Sequence, residues 1–292
     1  MNNLFQQLIL EVNKLGYDLS DKELKKVYKL QKTNRDELLN KLALIMLEYN
    51  IKEESLNLSS KDRQLLKREL NKIINEAIKE EVKLEKKTTE YVLETVTKEA
   101  FNLRNYILSL GTIAKISVLT ENELLKIINI VVDGEIWSDR LWKNKKQLEK
   151  DLKSMANDFL NGRISVNRIY KEIKDRYGKN AYCTKRLTET EVCRVQEKAN
   201  EEFAKQQGIE WMLFMATLDY KTSKKCRNFD GKTFRVDDNN KPIPPLHPNC
   251  RSCMILIPSR DWKPNKRKNN TTINKHIDYV DYEKWKAKNS LN

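Results

Sequence analysis

Residues 242–258 read Pro242-Ile243-Pro244-Pro245-Leu246-His247-Pro248-Asn249-Cys250-Arg251-Ser252-Cys253-Met254-Ile255-Leu256-Ile257-Pro258. Together with Pro264 this stretch holds every proline of the chain, and the 241 residues before it contain none. Proline fixes φ and lacks an amide donor, so it is costly inside helices. The asymmetry therefore divides the chain into a helical body and an irregular C-terminal module. Just upstream, Trp211-Met212-Leu213-Phe214-Met215-Ala216-Thr217-Leu218 is short, aromatic-rich and bounded by Gly208 and the polar run from Asp219, which predicts a buried strand. Phe234–Val236 and Met254–Ile257 read as two further strands, and Asp230-Gly231-Lys232 as a structural turn between strands. The expected fold class is predominantly α with a small α+β C-terminal module of short antiparallel strands around residues 211–257.

The helical body parses by its caps. Ser20 with Glu23 and Thr120 with Glu123 fit the capping box, in which a hydroxyl and a carboxylate three residues apart satisfy orphan backbone donors reciprocally. From Ser60, Leu66, Leu70, Ile73, Ala77, Leu84 and Tyr91 recur near helical spacing, predicting one long helix or two in series to about Leu110, with Gly111 as C-cap. A short helix is expected over Thr120–Val132, ending before Asp133-Gly134. Trp137 and Trp142 open the next. Further helices are predicted at Asn144–Leu160, Val166–Tyr177 and Thr184–Gln207, closed by Gly162, Gly178 and Gly208. Beyond Pro258 the basic, polar run predicts a linker or mobile tail, with Tyr279, Tyr282 and Trp285 docking as a short helix. Four regions result: an amphipathic helical N-terminal region over 1–90, a helical body over 91–207, the Cys/His/Pro-rich module over 208–258 and a basic tail over 259–292. No internal repeat or sustained heptad pattern is evident.

Composition bounds the function. With 292 residues and 39% apolar content a real core can form. There is no run of about 18 apolar residues, and Met1–Leu10 has no basic region ahead of its apolar stretch, so a soluble, unexported protein with no membrane partner is expected. Five cysteines, an odd number, argue for reduced thiols over a disulfide framework. The net charge is +14, and residues 221–292 carry 17 basic and 7 acidic side chains. Such a field favours polyanions, either nucleic acid or an acidic protein surface, although no aromatic-basic motif accompanies it.

Cys226, His247, Cys250 and Cys253 form Cys-x20-His-x2-Cys-x2-Cys, a donor set suited to tetrahedral zinc. With four protein ligands the metal would be structural, since no position stays open for water or substrate. The competing reading is a core of thiols around a hydrogen-bonded histidine. Pro248-Asn249-Cys250-Arg251-Ser252-Cys253 has the form of half a zinc-deaminase signature, but neither His247 nor His276 is followed by x-Glu, which excludes that chemistry. Any histidine-based hydrolase would have to use one of these two histidines. Neither a nucleophile elbow nor a P-loop or GxGxxG is present. The expectation is no enzyme, with no catalytic or cofactor-binding residues, and either no cofactor or one structural zinc.

Three segments carry a resemblance: Thr217-Leu218-Asp219-Tyr220-Lys221-Thr222-Ser223, then Cys226-Arg227-Asn228-Phe229-Asp230-Gly231-Lys232-Thr233-Phe234, then Pro245-Leu246-His247-Pro248-Asn249-Cys250-Arg251-Ser252. They resemble the signature of the phage head-morphogenesis family that includes the Mu protein F. Trp137-Ser138-Asp139-Arg140-Leu141-Trp142 is similar to the family's paired-tryptophan segment, and Arg186-Leu187 through Thr190-Glu191 to its Arg-Thr-Glu helix. The resemblance covers about Tyr91 to Pro258. Ser223 stands where many relatives carry the first cysteine of a Cys-x2-Cys pair, Glu189 where they carry arginine, and Ser252-Cys253 where they often read Cys directly after Arg. The resemblance implies a minor capsid protein of the phage head, assembled in the bacterial cytoplasm and acting at the portal vertex or capsid interior. Portal protein, major capsid or scaffold protein and packaged DNA are the implied partners. The amphipathic N-terminal helices are expected to pack first on the rest of the chain and second on portal or capsid.

Overall fold

A computed structural model describes residues 2–110, 115–271 and 276–289. In chain order the elements are α1 (Asn2–Glu48), β1 (Ile51–Lys52), β2 (Ser55–Leu56), α2 (Ser60–Ser109), α3 (Glu121–Ile128), α4 (Trp137–Leu160), α5 (Val166–Gln206), β3 (Trp211–Met215), α6 (Lys224–Arg227), β4 (Thr233–Arg235), β5 (Cys253–Ile257), β6 (Lys266–Lys268), β7 (His276–Asp278) and α7 (Tyr282–Asn289). The protein is predominantly helical, with short antiparallel strands toward its C-terminus, as expected. Among the described residues no helix is long and apolar enough to cross a membrane. The chain divides into two compact units, one of Met1–Ser20, Tyr91–Ile130 and Thr188–Asn292, the other of Asp21–Glu90 and Val131–Leu187.

The second unit is helical. On α1 it buries Leu24, Val27, Leu38, Leu42 and Ile45, on α4 Leu141, Leu148, Leu152 and Phe159, and on α5 Ile169 and Ile173. The stripe on α2 runs Leu66, Leu70, Ile74, Ala77, Glu81, Glu85, Thr88. Ile73 and Leu84, expected on it, are only half-buried, and Tyr91 is exposed. A search for apolar periodicity passes over this register because Glu81, Glu85 and Thr88 occupy core positions. They are satisfied there: Lys145 Nζ lies 2.8 Å from a carboxylate oxygen of each glutamate and donates to Asn180 Oδ1. Asn34 donates to Glu81 and to the Ala77 carbonyl, while Gln31 donates to Thr184, which donates to Glu85.

Several boundaries differ from expectation. Ser20 does not cap a helix; it is buried inside the single helix α1, and its Oγ finds no hydrogen-bond partner among the described residues. A capping box acts only where the chain enters a helix, and no proline or turn sequence interrupts this one. Thr120 does form the expected capping box with Glu123. Gly111 lies outside the described residues. Between α1 and α2, Glu53 and Glu54 take positive φ in a tight hairpin joining β1 and β2, a turn no Asn or Gly advertises. Asp133 and Gly134 also have positive φ, in the turn bridged by Val132 and Glu135. The buried Trp137 begins α4, whereas Trp142 is exposed.

Gly162 and Gly208 follow their helices with φ of 70° and 65°, the left-handed geometry of a C-terminal stop. Gly178 closes nothing: α5 runs through it without a break. One glycine costs a helix only about 1 kcal/mol relative to alanine, which the buried residues flanking it, Ile173, Tyr177 and Asn180, can offset. A Cβ at Gly178 would meet no atom within 4 Å. Gly178→Ala is therefore expected to raise stability by about 0.5–1 kcal/mol, read as a higher urea midpoint at unchanged m; a lower midpoint would show that the helix is not continuous there.

In the first unit, Val12 packs with Ala100 and Ile107, and Gln196 donates to the Val12 carbonyl, so the start of α1 is used within the chain itself. The three-stranded sheet has the order β4-β3-β5, antiparallel throughout, with Met212 opposite Phe234 and Leu256, and Phe214 opposite Met254. Both faces of β3 are covered. Met212 and Phe214 face a cluster with Ala204, Cys226, Val236, Cys250 and Met254, while Leu213 and Met215 face Ile255, Ile257 and Trp262. This two-sided burial is why the strand reads as an unbroken apolar run. Strand β5 is held along its outer edge by α5: Glu197 accepts from the Met254 amide with both oxygens, and Asn200 donates to the Met254 carbonyl. Burial pushes the Glu197 carboxyl up to about 8.

The described residues beyond Pro258 pack on the module, contrary to the linker or mobile tail expected. Strands β6 and β7 pair, and α7 buries Tyr282 and Trp285 against Leu218. Arg267, buried at 1% side-chain exposure, pairs with Asp230, equally buried.

Candidate metal centre

The site is assembled from the first turn of α6 and the proline loop that leads into β5. Ser223 precedes α6 in extended backbone geometry and accepts from the Cys226 amide, the usual N-cap arrangement. This places the Cys226 thiol at the inner end of the turn, buried against the sheet. The loop reaches it through the cis peptide Pro244-Pro245 and turns sharply at Asn249, whose φ is 59°. The Asn249 amide donates to Thr190 on α5, so the helix similar to the family's Arg-Thr-Glu segment anchors this turn.

Three of the four expected ligands meet. Cys226 Sγ, His247 Nε2 and Cys250 Sγ all lie within 4.8 Å of one another, with Cys226 Sγ 3.3 Å from His247 Nε2 and 3.6 Å from Cys250 Sγ. The His247 tautomer follows from its other nitrogen. Nδ1 is 2.9 Å from the Pro248 carbonyl, which can only accept, so Nδ1 carries the proton and Nε2 presents a lone pair to the cluster. Hydrogen bonding from Cys250, and then from Ser223 and Ser252, favours the thiolate at Cys226 and draws its pKa down. The same contact with Cys226, reinforced by burial, pushes Cys250 up.

Cys253 does not join them. It is the first residue of β5, and strand alternation sends Met254 toward Cys226 and Cys250 but Cys253 to the opposite face, with Leu213, Met215 and Ile255. In its place the hydroxyl of Ser223 lies 2.9 Å from His247 Nε2. The Ser-x2-Cys spacing contains that N-cap signal, but a reading confined to cysteine and histidine passes over it. His276 sits exposed on β7, outside the cluster.

A small polar pocket opens beside the three donors, lined by Lys221, Thr222, Ser223, Asn249, Arg251 and Ser252 among others. Arg251 pairs with Asp219 at 2.5 Å. Although burial opposes it, this bond keeps the Asp219 carboxyl below the ordinary carboxylate range. Asp219 also accepts from Thr222 and from the Lys221 amide, which fixes the Thr217–Ser223 segment under the site. The turn at Asp230-Gly231 proves more than a turn. Asp230 accepts from the amides of Ala216 and Tyr282 and from two nitrogens of Arg267.

No curated protein and no solved structure matches the chain. The segment that does match a known family begins within α4, short of Trp137–Trp142, and ends within β5, so it contains α5, all three meeting donors and the Asp230 turn. Over residues 143–255 the chain matches the family described as Phage Mu protein F like protein, the family that its Cys226–Ser252 signature resembles.

Proposed function

We propose that this protein is a minor structural component of a phage head, acting without enzymatic chemistry at the portal vertex or capsid interior in head assembly or genome delivery. The observation that carries the reading is the family match over 143–255, which takes in both the anchoring helix α5 and the module built on the Cys226–His247–Cys250 cluster. In this reading the cluster is a clasp: it closes the proline loop onto α6, where the loop has few backbone hydrogen bonds of its own, and a zinc ion held by the three donors would tighten it.

The experiment is mass spectrometry of purified phage heads combined with capture by co-expressed portal protein. The chain is expected in mature heads and bound to portal. Cys250→Ala should reduce incorporation while α5 stays helical by circular dichroism. A chain absent from heads and not retained by portal would overturn the proposal.

A further inference from the structure

Two of the three donor separations are close to those a tetrahedral ion requires, and the third is within 4.8 Å. Zn–S bonds of about 2.3 Å and Zn–N bonds of about 2.0–2.1 Å imply ligand-to-ligand edges of roughly 3.5–3.8 Å, and the observed 3.3 and 3.6 Å need little adjustment. His247 already presents the correct nitrogen, oriented through Nδ1 by the Pro248 carbonyl.

The fourth vertex differs in kind. Cys253 is on the other face of β5, and the group that stands next to His247 Nε2 is the neutral hydroxyl of Ser223, already engaged as an acceptor by the Cys226 amide. A serine hydroxyl is a much weaker donor to zinc than thiolate or imidazole, which are the usual ligands. Three protein ligands and a weak fourth describe a metal site that keeps an exchangeable position rather than a closed structural one. That position has somewhere to open: the polar pocket lies on the Ser223 side of the cluster, with Lys221 exposed on its rim and Arg251 on its wall. Arg251 is paired with Asp219 and two thiolates offset the charge of a divalent ion, so the exposed Lys221 is the cation that favours a negatively charged incoming ligand.

We infer that Cys226, His247 and Cys250 hold a divalent metal whose fourth position, beside Ser223, is exchangeable and takes an anion from the pocket flanked by Lys221 and Arg251. The inference rests on reading the cluster as a clasp able to hold metal, and it gives that clasp a second property: a partner can bind it through a carboxylate.

Cobalt(II) titration of the full-length reduced protein under anaerobic conditions tests it, with acetate as the anion probe. The expected spectrum has thiolate-to-metal charge-transfer bands from two sulfurs and d–d bands of a tetrahedral ion, and the d–d bands shift saturably on adding acetate. Lys221→Ala should raise the half-saturating acetate concentration several-fold. Ser223→Cys should strengthen the charge-transfer bands by a third thiolate and abolish the acetate response. Absence of cobalt bands in the wild type would overturn the metal reading itself. Bands that ignore acetate would leave the metal in place and overturn the exchangeable position, and an acetate response surviving in Ser223→Cys would remove that position from Ser223. None of these outcomes alters whether the chain enters phage heads, which is read separately.

Discussion

Asp230→Ala is expected to destabilise the C-terminal module by about 3–5 kcal/mol, because it leaves the buried Arg267 guanidinium without its counter-charge. Both side chains are 1% exposed, so water cannot replace the lost carboxylate. The damage extends further than one ion pair. Asp230 also holds the Ala216 amide at the end of β3 and the Tyr282 amide at the start of α7, while Arg267 donates onward to the carbonyls of Ala216 and Val280. The carboxylate thus ties β3, the β6–β7 hairpin and α7 to one point. Hydrogen exchange should show β6, β7 and α7 losing protection first, with β3 and β5 retaining theirs because their core lies on the other contacts of the sheet. Equal loss of protection throughout the module would mean that the tail and sheet fold as one cooperative unit. Arg267→Met is the companion variant: it should leave Asp230 accepting from two backbone amides, a less severe defect than a guanidinium with no carboxylate.

Lys145→Met should be about as severe, again about 3–5 kcal/mol. The ammonium lies 2.8 Å from both Glu81 and Glu85, with the three side chains 0–3% exposed. Burial alone would lower the Lys145 pKa, but Glu85 and Glu81 raise it above its ordinary value. The sign of the linkage follows. A lysine whose folded pKa is raised contributes stability that is complete below its unfolded pKa and lost as pH rises through the folded one, so the wild-type pair is fully formed at neutral pH. The deficit against wild type, measured by urea unfolding, should therefore be complete at neutral pH and narrow as pH rises into the range where wild-type Lys145 gives up its proton. A deficit independent of pH would point to lost packing of the lysine stem instead of lost charge. Replacing all three groups together, as Lys145→Met with Glu81→Gln and Glu85→Leu, should recover much of the loss, since apolar replacement of buried ionic groups is often neutral.

These two hubs also show where reading the sequence reaches its limit. The helical body, the change of architecture near Gly208, the three sheet strands and the capping box at Thr120 were legible because each rests on local chemistry: proline distribution, periodicity and side-chain oxygens at fixed spacing. Ser20 and Gly178 carried the same local signals and were overridden, one by the uninterrupted α1, the other by the buried face of α5. The stripe on α2 was misassigned by one position at Ile73 because glutamates occupy core sites, and distant partners make that burial tolerable: Lys145, 64 residues from Glu81, with Asn34 and Thr184. Likewise nothing local in the basic run Lys266-Arg267-Lys268 distinguishes the residue that pairs with Asp230 from its exposed neighbour Lys266.

For the candidate site the division has the same cause. Residue types and spacing in the sequence alone singled out Cys226, His247, Cys250 and Cys253 as candidate ligands, and gave the segment containing them its resemblance to phage head proteins. Tertiary structure alone decided that Cys253 is absent from the cluster and Ser223 present. A strand's side chains alternate between faces, so which of two neighbouring residues meets a distant thiol depends on the register of β5 against β3. That register is fixed by apolar contacts on both faces of the sheet and by Glu197 and Asn200 on α5, interactions between residues that only the folded chain brings together.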